Sequence, residues 1–255
     1  MPVDIRLVPC LEDNYAVIVR DQNSGAVIVV DAPEAAPILA ALDAEGWQPT
    51  HLLLTHAHAD HIAGIPELRR RYAPTVIASP ETAAKAGGAD ELVRDGETVR
   101  LGRLAAKVIA TPGHCPDHVS YWFADEGLLF SGDALFVMGC GRVVDGSPAV
   151  LWRSLQKLRA LPPETRVWCG HEYTLSNARF AVRVDPDNAA LKQRLAEVEA
   201  IRAKGEPTLP TTIGEEIATN PFLRADRPEV AAAVGMAGAD PAAVFAEIRE
   251  RKNRG

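Results

Sequence analysis

Short apolar runs closed by turn clusters fill the first part of the chain. Val3–Val8, Ala16–Arg20 and Ala26–Val30 read as an N-terminal meander of strands, divided by turn residues such as Asp21-Gln22-Asn23-Ser24-Gly25. Ala35–Ala44 has helical composition, and Gly46 ends it. Leu52-Leu53-Leu54 is short, wholly apolar and bounded, the pattern of a strand buried on both faces. A helix over Ile62–Tyr72, a strand over Thr75–Ala78 and a helical segment from Glu81 follow. Ala105–Ala110 is a strand that runs into Thr111-Pro112-Gly113-His114, and Val119–Phe123 with Leu128–Phe130 forms a hairpin. Pro148–Ala160 shows a helical apolar stripe of Leu151, Trp152, Leu155 and Leu158, and Arg166–Cys169 is a last strand.

Past Leu175 the pattern turns helical. Ser176–Val184, Ala189–Lys204, Pro228–Val234 and Pro241–Lys252 read as helices, with a Pro/Thr-rich passage at Glu206–Thr212. The alternation of strands and helices up to about residue 174 predicts an α/β domain, 1–174, and the remainder a C-terminal α-helical domain, 175–255.

Chemistry concentrates after the predicted strands. Thr55-His56-Ala57-His58-Ala59-Asp60-His61 places four metal-competent side chains in six positions directly behind Leu52–Leu54. Side chains alternate along an extended segment, so His56 and His58 project to one side and can share one ion. Asp60 and His61, where the chain turns into a helix, point away from that pair, which suits a second ion. His114, Asp133 (in Ser131-Gly132-Asp133) and His171 (in Gly170-His171-Glu172) also follow strands, so four stations can converge on one sheet edge. Asp31 closes the third strand, where it reads equally as a turn aspartate or as the residue that holds a ligand histidine by its other ring nitrogen.

Charge narrows the partners. A net charge of -7 argues against nucleic acid, which needs a basic surface. No run reaches membrane-spanning length and Met1–Arg6 lacks the features of a signal peptide, so no membrane is expected and the expected address is the cytoplasm. Cys10, Cys115, Cys140 and Cys169 are scattered, as reduced thiols would be. The chain is expected to work as a monomer or weak oligomer.

The order T-H-x-H-x-D-H, T-P-G-H, S-G-D and G-H-E resembles the metallo-β-lactamase superfamily. Leu11-Glu12-Asp13-Asn14-Tyr15, Gly139-Cys140-Gly141-Arg142, Gly170-His171-Glu172-Tyr173-Thr174 and Thr219-Asn220-Pro221-Phe222-Leu223-Arg224 are similar to one branch of it, glyoxalase II. The resemblance implies an αβ/βα metallo-β-lactamase-like sandwich with a C-terminal α-helical domain. It implies His56, His58 and His114 on one divalent ion, Asp60, His61 and His171 on a second, and Asp133 bridging both. Zinc leads, with iron or manganese compatible. The implied reaction is hydrolysis of S-D-lactoylglutathione to glutathione and D-lactate, the second step of methylglyoxal detoxification, by a metal-bridging hydroxide, with Asp60 and Asp133 as the catalytic carboxylates among the ligands.

A thiol leaving group, with a pKa of about 8.5, departs without a dedicated acid, which suits a thioester. Arg249 and Lys252, spaced i, i+3, share a helix face and can grip an anion; the resemblance makes them glutathione contacts, with Arg142 and Tyr173. Taken without it, they are cations that complement the dipole of a last helical turn. Val144 stands where the family has an aromatic residue, and Cys115-Pro116-Asp117-His118 departs from Thr-x-Gly-His. The competing expectations are a mononuclear-iron glutathione persulfide dioxygenase on the same scaffold, a lactonase or thioesterase without glutathione, and a binding protein with a structural metal.

Overall fold

Leu52, Leu53 and Leu54 are wholly buried at the centre of a sheet, which accounts for their unbroken apolar run. The computed structural model describes residues 2–255. These fall into two compact units, one of residues up to Ala110 plus Asp117–Gly132, the other of Thr111–Pro116 plus Asp133–Gly255.

In the first unit β1 (Val3–Cys10), β2 (Asn14–Asp21) and β3 (Val27–Val30) form the expected antiparallel meander. Next come α1 (Ala35–Glu45), β4 (His51–Leu53), α2 (Ala59–Ile62), α3 (Ile65–Tyr72), β5 (Thr75–Ala78), α4 (Pro80–Lys85) and β6 (Glu91–Leu92). The sheet order is β1-β2-β3-β4-β5-β6, parallel from β3 onwards. Ile38 and Leu42 of α1 and Leu68 of α3 pack with Val29, Leu52 and Val76 of the sheet. Each such side chain contributes about 1.5–3 kcal/mol by leaving water. A second layer of strands, β7 (Thr98–Leu101), β8 (Leu104–Ala110), β9 (Val119–Phe123) and β10 (Leu128–Gly132), pairs antiparallel in chain order.

The single helix expected over Ile62–Tyr72 is two, α2 and α3. Gly64 separates them because its backbone passes against that of Ala32–Ala35: its N–H bonds the Ala32 carbonyl at 2.8 Å, and a Cβ there would come within 2.9 Å of the Ala35 nitrogen. Pro66 then opens α3, where a missing N–H costs nothing.

The second unit holds β11 (Leu135–Phe136), β12 (Gly139–Cys140), α5 (Pro148–Arg159), β13 (Arg166–Cys169), α6 (Thr174–Val184) and α7 (Ala189–Ala203). It closes with β14 (Thr211–Thr212), α8 (Ile213–Thr219), α9 (Pro228–Ala233) and α10 (Pro241–Arg254). Helix α10 packs on α5, and α6 on α7. Trp152, Phe245, Phe222 and Phe180 pack in succession, tilted, edge-on and stacked in turn, with ring centroids 5.6, 5.8 and 6.0 Å apart. The Pro/Thr-rich passage ends in β14, which pairs with β13, and Thr212 caps α8 reciprocally with Glu215. Among the described residues no helix is long and apolar enough to cross a membrane.

Candidate metal centre and adjoining cavity

In the first unit the chain leaves β4 and immediately presents the histidine segment. His56 is wholly buried and His61 likewise, while His58 and Asp60 are partly exposed. The Nε2 of His56 and the Nδ1 of His58 lie 3.1 Å apart. Two nitrogens on one tetrahedral zinc ion are separated by about 3.3 Å, so this pair is spaced for a shared ion. The outer ring atoms are already engaged. Nδ1 of His56 meets the Thr55 hydroxyl at 3.0 Å, and Nδ1 of His61 meets Asp31 Oδ2 at 2.9 Å.

Asp31 is therefore a holder. Its Oδ1 accepts from the Thr55 N–H at 2.8 Å and its Oδ2 from the Thr55 hydroxyl at 2.7 Å, which leaves the carboxylate committed to Thr55 and His61. A carboxylate behind a histidine in this way fixes ring orientation and raises basicity at the far nitrogen. Asp31 itself sits at φ 55, a conformation that few residues other than glycine adopt. Asn14 holds Asp60 similarly, donating from Nδ2 to its carbonyl at 2.9 Å and to Oδ2 at 3.1 Å. Asp60 Oδ2 is 3.9 Å from His61 Nε2.

The second unit carries His114, Asp133 and His171, all buried. Asp133 Oδ2 lies 3.3 Å from His171 Nε2 and 3.6 Å from His114 Nε2, one oxygen between two imidazoles, as a carboxylate shared by two ions requires. His114 Nδ1 donates to the Arg142 carbonyl at 2.8 Å, which turns its Nε2 towards Asp133. In both units the donors are imidazole nitrogen and carboxylate oxygen in buried surroundings, a set that fits divalent zinc, iron or manganese. These His/Asp clusters mark a divalent-metal protein.

Beside His171 is a cavity of about 160 Å³ lined by Phe136, Cys140, Arg142, Tyr173, Ser176, Asn177, Arg249 and Lys252. The four residues expected to bind substrate thus share one wall system. Tyr173 lies flat on His171, with centroids 4.6 Å apart and planes 6° from parallel. Arg249 is buried; its Nη1 donates to the Cys140 carbonyl at 2.9 Å, its Nε to Asn253 Oδ1 at 3.1 Å, and its guanidinium lies 5.1 Å over the Phe222 ring. Val244, Phe245 and Ile248 are buried on the same helix and press it down. Lys252 donates to the Ser176 carbonyl at 3.1 Å and hydroxyl at 3.0 Å. Burial, then Arg249 and Arg183, lower its pKa from 10.5 to about 8. Burial pushes the Cys140 thiol up to about 11, against the pull of Arg249, so that thiol is a wall and not a nucleophile.

The departures have local structural uses. Asp117 accepts from the Thr82 hydroxyl at 2.7 Å and sits 3.8 Å from Lys85, tying its loop to α4. Buried His118 packs against His56, with centroids 5.1 Å apart, and Cys115 is buried. Gly132 of the Ser-Gly-Asp motif has φ 48, and a Cβ there would come within 2.6 Å of Thr55 Oγ1 and 2.7 Å of His118 Nε2. Val144 is exposed. Reading the sequence missed Asn14, Thr55, Ser176 and Asn177 as supports or lining. It also missed Glu216, wholly buried on α8 and shifted by burial from 4.5 to about 7; Thr211-Thr212 ahead of Glu215 was the available cue to that helix.

The family description "Metallo-beta-lactamase superfamily" matches residues 11–171, and "Hydroxyacylglutathione hydrolase C-terminus" matches residues 172–255. A hydroxyacylglutathione hydrolase of Rhodopseudomonas palustris (strain ATCC BAA-98 / CGA009) is 55% identical over 255 residues, all of both chains. The chain belongs to the hydroxyacylglutathione hydrolase family. Its fold is that of the metallo-beta-lactamase superfamily with a C-terminal helical region. Among solved structures it is similar to ETHE1 from Myxococcus xanthus, at 30% identity and TM-score 0.71, covering 98% of this chain and 91% of that one. It is also similar to TTHA1623 in a di-iron-bound form, at 27% identity and TM-score 0.61, covering 85% of this chain and 98% of the other.

Proposed function

We propose that this chain hydrolyses the thioester of 2-hydroxyacylglutathiones, S-D-lactoylglutathione foremost, releasing glutathione and D-lactate. The observation that carries the reading is the cavity lined by Arg142, Tyr173, Arg249 and Lys252, whose Tyr173 rests on His171. The cavity and His171 belong to one compact unit. Three cations on the walls of a protein of net charge -7 fit a ligand with carboxylates, and glutathione carries two.

His56, His58 and His114 would hold one divalent ion, Asp60, His61 and His171 a second, and Asp133 Oδ2 would serve both; zinc is the first candidate. Such ions polarise a carbonyl and lower the pKa of bound water towards neutrality. Asp31, Thr55 and the Arg142 carbonyl keep the ligand rings in register for that task. Asp60, oriented by Asn14, and Asp133 are the carboxylates positioned beside the reacting atoms. Arg249 and Lys252 take the peptide carboxylates, and the thiolate leaves unprotonated. Residues 175–255 act as the substrate-binding domain, and four buried cysteines outside any disulfide fit a reducing cytoplasm.

Metal analysis of the purified protein with turnover of S-D-lactoylglutathione, a lactone and glutathione persulfide tests the assignment. Two ions per chain and preference for the thioester are expected. One iron with oxygen-dependent turnover of the persulfide and no thioesterase activity would overturn it. Arg249→Ala with Lys252→Ala should raise KM for the glutathione thioester about a hundredfold, while turnover of a short thioester lacking the peptide changes less than about threefold. Equal effects on both substrates would make α10 a purely structural element.

A further inference from the structure

The wall of the cavity nearest Asp133 is a small hairpin that its own turn does not stabilise. Strands β11 and β12 pair Leu135 with Cys140 and Phe136 with Gly139, so Val137 and Met138 form a two-residue loop. Such loops favour positive φ at the first central position, usually with glycine or asparagine. Here the positive φ falls on the second, Met138, at 51°, and the side chain is buried. The conformation has to be held from outside.

Helix α8 supplies the hold. Glu216 Oε2 accepts from the Met138 N–H at 2.8 Å and from Asn220 Nδ2 at 2.9 Å. Asn220 Nδ2 also donates to the Gly139 carbonyl at 2.9 Å and to the Phe136 carbonyl at 3.3 Å. Glu216 Oε1 accepts from the Thr211 hydroxyl at 2.8 Å. From the other side Asn177 Nδ2 donates to the Val137 carbonyl at 3.1 Å, and Arg249 binds the Cys140 carbonyl. The hairpin is therefore gripped on both strands and across its turn by helical side chains, and it presents Phe136 and Cys140 to the cavity.

We propose that Glu216 is a positioning residue for the cavity: through the Met138 N–H and Asn220 it fixes the Leu135–Cys140 hairpin, and so sets the wall against which the ligand's peptide part is received. It touches no ligand and acts through Met138 and Asn220. A neutral amide can do the same work. In Glu216→Gln the amide oxygen accepts from Met138 and Asn220, and the amide nitrogen donates to the Thr211 hydroxyl. Glu216→Met, of similar volume and without an acceptor, cannot. Replacing Met138 by glycine relieves the turn at its source, because glycine adopts positive φ freely.

The choice of ligand rests on the glutathione reading; the hairpin measurement does not. Binding of S-hexylglutathione by calorimetry, with hydrogen exchange of the 135–141 segment by mass spectrometry, compares wild type, Glu216→Gln, Glu216→Met and Glu216→Met with Met138→Gly. Glu216→Met should weaken binding about tenfold or more and speed exchange of the hairpin about tenfold. Glu216→Gln should stay within about threefold of wild type on both, and the double variant should recover most of each loss. Where Glu216→Met alone does not fold, recovery of a folded, ligand-binding protein by Met138→Gly supports the same assignment. Binding and exchange in Glu216→Met like those of wild type would overturn it, and so would equal losses in the Gln and Met variants or no recovery in the double variant. Absence of S-hexylglutathione binding in wild type would instead reject the glutathione reading, and the exchange comparison would then decide on Glu216 by itself.

Discussion

The candidate ligands and the cavity beside His171 are built on opposite plans. His56 and His114 stand in loops and His61 in the short helix α2, and they are held by Thr55, the Arg142 carbonyl and Asp31 respectively. The cavity walls come from distant parts of the chain, the 135–142 stretch, the start of α6 and the end of α10. The candidate ligands are oriented by hydrogen bonds from Thr55, Asp31 and the Arg142 carbonyl, and the cavity by cross-links among helices. A site on strand ends tolerates little change, whereas one assembled from helices can change its ligand by altering a few contacts.

Removing Asp133 should break the ligand side most severely. Asp133→Ala is expected to lose metal together with about a thousandfold or more of turnover, read by metal analysis and steady-state rates. Two ions retained in a dead enzyme would contradict its shared role. Asp31→Asn removes the charge behind His61 while keeping its shape, and metal affinity should fall about 10–100-fold in chelator competition.

The cavity side answers to pH. Lys252 titrates near 8 when folded, below its ordinary 10.5, so the ammonium is present below pH 8 and lost as pH rises through it. Its charge costs folding stability below pH 8, and that cost disappears between 8 and 10.5. For the glutathione thioester kcat/KM should fall roughly tenfold from pH 7 to 9.5 beyond any fall seen in Lys252→Arg, whose guanidinium stays charged. Identical profiles would remove Lys252 from the anion grip.

Stability shows the smallest effect. Glu216 titrates near 7 when folded against 4.5 unfolded, so its contribution is fully present below 4.5 and is lost as pH rises through 7. Glu216→Gln should flatten the pH dependence of Tm between pH 5 and 8 by a few degrees. An unchanged slope would place the titration elsewhere.

What the sequence made legible follows the same division. Strand ends announce themselves: Leu52–Leu54 followed by His56, His58, Asp60 and His61 is local, and period-2 geometry pairs the first two histidines. The break at Gly64 was illegible because it is caused by Ala32–Ala35, a contact about thirty residues away in the chain. Glu216 was illegible because nothing local distinguishes it from Glu215; one caps α8 at the surface and its neighbour is buried beneath Met138. Arg249 and Lys252 could be set on one helix face by spacing, but their meeting with Tyr173 and Arg142 came from family resemblance. Helical walls depend on contacts that no local pattern encodes.

Position 142 serves His114 with its carbonyl and the cavity with its side chain, whereas Tyr173 uses a single ring for both His171 and the cavity. Every amino acid at 142 that preserves the local backbone keeps the carbonyl, so recognition there is free to drift while the chemistry stays fixed. At 173 the two are inherited together. A laboratory search for altered thioester scope therefore has an open door at 142 and a coupled trait at 173.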